Sequence, residues 1–271
     1  GFAGFWWGWN NGGPTLPPLV AQWTELDPLV RFSFVPHHLF AKAFMVTAFL
    51  VLLRGKKTVR DIVIVSILVF LAGFASPVAL ATMLPTLGIW LALRLTHDRF
   101  DPGRWKEYLP TIAGVAVAVI LIVYFRSLSK GVFPWNSYPA WEETVRYPVT
   151  VRSYLESLGP VFVFFLIGIV ALWKRHDRSW MLLSAWAGSG WLAVAATTLP
   201  TPTSNIRFLE GYQFLPVAVG AVAGIARIAQ RPLIKFSLVV GLIFYSFFGV
   251  VASMQTHQTY LSRDRHDKRI Y

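Results

Sequence analysis

Residues 60–95 read RDIVIVSILVFLAGFASPVALATMLPTLGIWLALRL. Two apolar blocks meet at Ser76-Pro77, and each is close to the ~15–20 residues that cross a hydrocarbon layer about 30 Å thick. Proline has no backbone N–H and pushes the residue before it out of the helical region. The junction therefore predicts a helix over about 60–75 that stops there and a second over about 78–95 that starts at once. Apolar residues do not alternate with polar ones in either block, so neither reads as a half-buried strand. A merged or re-entrant pair over 60–95 is the competing arrangement.

The rest of the chain repeats the pattern. Of 271 residues, 55% are hydrophobic and only 14% charged, where a soluble domain carries about 25% charged residues. Further apolar blocks cover 36–53, 110–125, 158–173, 179–199, 209–229 and 233–254, the second of them opened by Pro110 after a loop over 96–109. Together they predict an all-α polytopic transmembrane bundle of about eight crossings, one transmembrane domain spanning residues 1–271. Residues 1–36, with Trp6, Trp7, Trp9 and several prolines, and residues 126–157, with Trp135, Trp141 and Tyr147, read as external interfacial loops, since tryptophan favours the headgroup region. The chain opens on Gly1 and its first charged residue is Glu25, so further sequence is expected upstream.

The net charge of +12 would point to nucleic acid in a soluble protein, but no basic helix, RNP-like aromatic pattern or zinc spacing accompanies it. The basic residues instead crowd short turns: Arg54, Lys56, Lys57 and Arg60; Arg94, Arg99, Arg104 and Lys106; Lys174, Arg175 and Arg178; Arg227, Arg231 and Lys235. Longer segments on the other side carry them sparsely, which places the short turns in the cytoplasm and the long loops outside. The absence of cysteine excludes disulfides and thiolate chemistry.

Three polar clusters invite a chemical reading. Arg31, His37, His38 and Lys42 surround the start of the 36–53 helix, where His38 and Lys42 are four apart and share a face. Cationic donors in a partly dry setting suit a phosphate or pyrophosphate. The plainer alternative is anchoring: Lys42 lies roughly 9 Å below the helix start, within reach of the headgroups for a snorkelling stem. Adjacent histidines do not share a helical face, which argues against a metal site.

Asn205, Arg207 and Glu210 stand at the outer mouth of the 209–229 helix. Arg207 can pair with Glu210, three residues on, or help the helix N-terminus hold an anion; Asn205 or Ser204 can equally be a simple cap. Glu142 and Glu143, among Trp135, Tyr138, Trp141 and Tyr147, make either a sugar-stacking surface with an acid or base nearby or, more plainly, an amphipathic helix lying on the membrane. Gly220 and Gly224, and Ser184 with Gly188, carry the small-xxx-small spacing of tight helix packing. No phosphate loop, nucleophile elbow, zinc motif or dinucleotide fingerprint is present, and the helices lack the intramembrane acids of a proton-coupled pump.

Arg207-Phe208 followed by Pro216 at the mouth of a late small-residue helix, and the block Gly73–Ala79 around Ser76-Pro77, resemble the GT-C superfamily of multi-spanning glycosyltransferases. The resemblance implies sugar transfer from a polyprenyl-phosphate donor at the outer face of a bacterial plasma membrane. In it Arg207 would hold the donor phosphate, with His37, His38 and Lys42 as helpers, Glu210 and Asn205 in support, and a divalent metal as the one cofactor it brings into question. The family's catalytic carboxylate follows its first helix, and no position here matches it; Glu25 and Asp27 are external acids without that mark. The implied partners are membrane lipids, the polyprenyl-phosphate sugar and other membrane subunits, with no nucleic acid. A lipid-linked substrate transporter or flippase, and a noncatalytic membrane scaffold, are the alternatives.

Overall fold

The computed structural model describes residues 36–54, 58–131, 133, 135–137, 139–140, 151, 155, 158–159, 161–175, 177–196, 214–230, 232–234, 236–238 and 240–241. Among these residues the regular structure is helical throughout, with no strand. The main helices are α1 (Pro36–Leu53), α2 (Val59–Ala75), α3 (Pro77–His97), α4 (Trp105–Leu128), α5 (Val161–Lys174), α6 (Ser179–Ala196) and α7 (Phe214–Ile228). An all-α bundle is what the apolar blocks predict. Among the described residues two stretches, Pro77–His97 and Pro102–Leu128, are long and apolar enough to cross a membrane. Of the expected 233–254 helix, only short helical pieces within 232–241 fall among the described residues.

Local chemistry explains the boundaries. Pro36 sits at the first position of α1, where its missing N–H costs nothing. Asp61 in the first turn of α2 accepts hydrogen bonds from the Thr58 backbone N–H (2.8 Å) and hydroxyl (2.9 Å), fixing the helix start. Ser76 is extended (φ −149°, ψ 106°), its N–H donates to the Ala72 carbonyl, and Pro77 opens α3 immediately. The residue before the proline thus breaks the helix where the sequence places the break.

The α3–α4 connection departs from expectation. Instead of a loop over residues 96–109 and a helix opened by Pro110, α3 runs on to His97 and α4 begins at Trp105, after a single 3₁₀ turn at Pro102–Arg104. Pro110 therefore lies inside α4, near enough to its start that little of the hydrogen-bond ladder is lost. The added first turn of α4 brings Glu107 and Tyr108 into the bundle.

α3 packs on α1, α2, α4 and α6, and is the hub of the first core. Its Leu80, Met83, Leu87 and Trp90 meet Met45, Phe49 and Leu52 of α1, Val65 and Val69 of α2, Leu121 of α4, and Met181, Ala185 and Trp186 of α6, all of them buried. Leu183 and Ala187 on another side of α6 join Phe165 of α5 with Val217 and Ala221 of α7 in a second core. α6 therefore links the two halves.

Among the described glycines, those that bring backbone against backbone of another helix are Gly168 of α5 with Gly220 and Gly224 of α7. A Cβ on Gly168 would run into the Gly220 carbonyl, and one on Gly224 into the Phe164 carbonyl. The Gly220/Gly224 pair thus packs tightly as its spacing implies, and Gly168 is the partner the sequence did not single out. Gly188 makes no such approach: its nearest neighbour would be Ile89 at 3.9 Å.

The outward faces are also apolar. Phe40 and Leu50 of α1, Ile67 and Phe74 of α2, Ile120 and Val123 of α4, Val163 of α5 and Val222 of α7 are all exposed.

Candidate functional site

Consecutive helices α1 to α4 pack on one another through short connections, so their polar ends alternate between the two ends of the bundle. At one end lie the start of α1, the finish of α2 and the start of α3. Here His38, 6% exposed, meets Ser76, 2% exposed, with Nδ1 and Oγ 3.2 Å apart. Ser76 stands at the N-cap position of α3, yet its hydroxyl makes no capping bond. The usual role of a serine there is given up for a bond to a histidine 38 residues away, which ties α1 to the α2–α3 break. Either group can donate, according to the imidazole tautomer. Lys42 lies one helical turn further along the same face of α1 and is half-buried. His38 and Lys42 thus lie on one face of α1 near one end of the bundle, with Ser76 against His38. The His37 side chain, Arg31, Asn205, Arg207 and Glu210 lie outside the described residues, as do Glu142 and Glu143.

The opposite end holds a larger polar assembly that sequence reasoning missed. Arg94, in the last turn of α3, is 3% exposed. Its Nη2 donates to Glu107 Oε2 at 2.6 Å and to Asp98 Oδ2 at 3.2 Å. Asp98, with a side chain only 1% exposed, also accepts from Arg104 Nη1 at 2.7 Å and from the Tyr108 hydroxyl at 3.0 Å, while His97 Nδ1 lies 3.3 Å from its other oxygen. Arg178, just before α6, reaches Glu107 Oε2 at 3.4 Å and so links a third helix to the group. The Trp90 and Tyr108 rings lie 5.6 and 5.8 Å from the Arg94 guanidinium carbon, within cation–π range.

Burial alone would raise the pKa of Asp98. Hydrogen bonds from His97 and Tyr108, together with the charge and hydrogen bonding of Arg94, outweigh it and hold the carboxyl below the ordinary aspartate value. The anion is thereby kept charged in a nearly dry site. Both Asp98 and Glu107 are engaged by arginine, so the arrangement clamps helices together and leaves neither carboxylate free.

The sequence signal was present in the i,i+4 pair Arg94/Asp98. It was obscured because Arg94, Arg104 and Arg178 also read as the basic turns that set topology. Among the described residues no three His, Asp or Glu side chains gather to hold a metal ion. No protein-family model, curated protein or solved structure matches the chain.

Proposed function

We propose that the chain is a membrane-embedded helical domain of about eight crossings that binds the phosphate of a lipid-linked substrate at its His38–Lys42 end. The substrate class that fits best is a polyprenyl-phosphate sugar serving glycosyl transfer at the outer face of a bacterial plasma membrane. One observation carries this reading: the bundle is apolar outside as well as inside, yet the end opposite the arginine network keeps a buried His38–Ser76 pair with a half-buried Lys42 beside it. Soluble monomers rarely leave apolar patches larger than a few hundred Å² uncovered, whereas lipid covers such faces without cost. Polar groups retained near the end of an apolar bundle are expensive and mark binding sites more often than accident.

Orientation follows from charge. Arg54, Arg60, Arg99, Lys106, Lys174 and Arg175 are exposed at the end opposite His38, which favours a cytoplasmic position for that end and an external one for His38. A transport pathway is disfavoured, because Phe49, Met45, Met83 and Leu87 fill the described space between the two ends.

The test is binding of a polyprenyl-phosphate sugar to the purified full chain, wild type against Lys42→Ala, His38→Ala and Arg207→Ala. Loss of binding in Lys42→Ala and Arg207→Ala, with folding intact, is the expected result. Binding that is absent from the wild type, or indifferent to both changes, would sink the lipid-phosphate reading and leave a scaffold.

A further inference from the structure

Arg99 and Phe100, in the turn between α3 and α4, both have positive φ, at 53° and 57°. A helix commonly ends with one left-handed residue, and that residue is usually glycine or asparagine. Here two bulky residues in succession adopt this conformation. For non-glycine residues it is disfavoured by contact between Cβ and the carbonyl oxygen, and it persists only where the surroundings over-determine it.

The surroundings do so. The Phe100 N–H donates to the Leu95 carbonyl and the Arg99 N–H to the Thr96 carbonyl. Immediately beneath, Asp98 is gripped by Arg94, Arg104 and Tyr108. On the other side Asp101 accepts from the Gly103 N–H at 2.9 Å. This rigid base does not bury the strained residues. Phe100 is 66% exposed and Arg99 is exposed too. The strain thus holds a phenyl ring and a guanidinium away from the bundle, the reverse of what packing alone would select.

Charge at this end is unbalanced in a way that follows from the same network. Asp98 and Glu107 are taken up by Arg94, Arg104 and Arg178. Arg99, Lys106, Lys174 and Arg175 are exposed and have no carboxylate partner among the described residues. Trp105, 56% exposed, adds a second aromatic ring. The turn also joins Pro77–His97 to Pro102–Leu128, each long and apolar enough to cross a membrane. If those stretches span, the turn between them lies at a bilayer surface.

We propose that the α3–α4 turn, with the α5–α6 turn that Arg178 ties to it through Glu107, is a contact for anionic phospholipid, with Phe100 inserted at the headgroup level and Arg99, Lys106, Lys174 and Arg175 holding the lipid phosphates. The inference rests on the membrane reading above but concerns the opposite end of the bundle from the His38–Lys42 site. The cations of the α3–α4 turn and of the neighbouring α5–α6 turn attract anionic over zwitterionic headgroups, while the apolar Phe100 ring and the amphipathic Trp105 ring favour the interface.

The experiment is native mass spectrometry of the full chain released from mild detergent, titrated with phosphatidylglycerol or phosphatidylcholine. Wild type should retain phosphatidylglycerol preferentially, and Arg99→Ala should cut that preference about five-fold, the worth of one cation near an anionic surface. The double variant Arg99→Gly/Phe100→Gly is the sharper arm, because glycine accepts positive φ without strain. It should unfold at or above the wild-type temperature while losing lipid preference, a divergence that a purely structural turn would not produce. Equal retention of the two lipids by wild type, or full preference in the double variant, overturns the proposal. A chain that leaves alkali-washed membranes without detergent defeats the membrane reading itself. One that stays embedded without lipid preference defeats only this inference.

Discussion

The α5–α7 crossing and the α3–α4 end hold helices together by opposite means. At the first, Gly168, Gly220 and Gly224 remove side chains until backbones touch. At the second, Arg94, Asp98, Arg104, Glu107, Tyr108 and Arg178 fill the space between helices with charge and hydrogen bonds. The glycine crossing depends on shape alone and should be indifferent to pH and salt. The arginine end depends on a complete set of partners and should tolerate changes of shape better than loss of a charge. Where the outward faces are as apolar as the inward ones, burial gives little reason for one helix pairing over another. Close backbone approach and saturated polar networks are then the two devices that select neighbours.

The comparison breaks most visibly at Arg94. Arg94→Met leaves Asp98 and Glu107 in place and removes the cation they share, so about 3–4 kcal/mol of stability should be lost, toward the lower end for a broken buried ion pair because Arg104 and Arg178 remain. Arg94→Lys should recover only part of it, since an ammonium cannot reproduce the guanidinium fork. Unfolding free energies in mixed micelles check both. A loss under about 1 kcal/mol would mean that the network is a surface-like ion cluster after all.

Next comes Gly168. Adding a methyl group in Gly168→Ala drives Cβ into the Gly220 carbonyl and forces α5 and α7 apart, at about 2–3 kcal/mol. The same unfolding assay should show this loss unchanged from pH 4 to pH 8. A pH-dependent loss would show that the two seams are coupled.

Asp98 supplies the contrasting pH response. Its pKa is lowered in the folded protein, so its contribution is fully present above the ordinary aspartate pKa, ~3.9, and disappears as pH falls through the lowered folded value. Asp98→Asn should flatten that acid limb and cost about 2 kcal/mol at neutral pH, within the range for hydrogen bonds to a charged group. An acid limb identical in wild type and variant would assign the acid sensitivity elsewhere.

How much of this was legible in the sequence follows from the physics of each feature. Pro36 and Ser76-Pro77 mark helix boundaries through the backbone, a local effect, and the first three helices fall close to their expected ranges. Pro110 misled because a proline in the second turn of a long apolar helix forgoes one backbone hydrogen bond, to the Lys106 carbonyl, without ending the helix, so α4 starts five residues earlier than the proline suggests. Gly220 and Gly224 signal a close approach, but Gly168 lies on another helix and its pairing is tertiary information. His38 and Lys42 share a face by spacing alone, whereas the bond from His38 to Ser76 spans 38 residues and no local rule announces it.

That bond offers the next smaller effect. Ser76→Ala should cost about 1 kcal/mol, the net worth of a buried neutral hydrogen bond, with little further loss at the helix start because the hydroxyl was not capping α3. In a double-mutant cycle with His38→Ala, a coupling energy near zero would show that the two side chains are neighbours without being partners.

Gly188 is the control for the glycine seam and the smallest effect of all. It lies within α6 among the buried Ala185, Ala187 and Ser189, yet a Cβ there would meet only Ile89 at the ordinary distance of 3.9 Å. Gly188→Ala therefore adds helix propensity without a collision and should stabilise the chain by about 0.5–1 kcal/mol. The sign matters more than the size. If Gly168→Ala destabilises and Gly188→Ala stabilises, close backbone approach is confined to the α5–α7 crossing, and small-residue spacing in α6 reflects composition rather than contact. If both destabilise, α6 is packed more tightly against α3 than the Ile89 distance allows, and the glycine device extends to the helix that links the two cores.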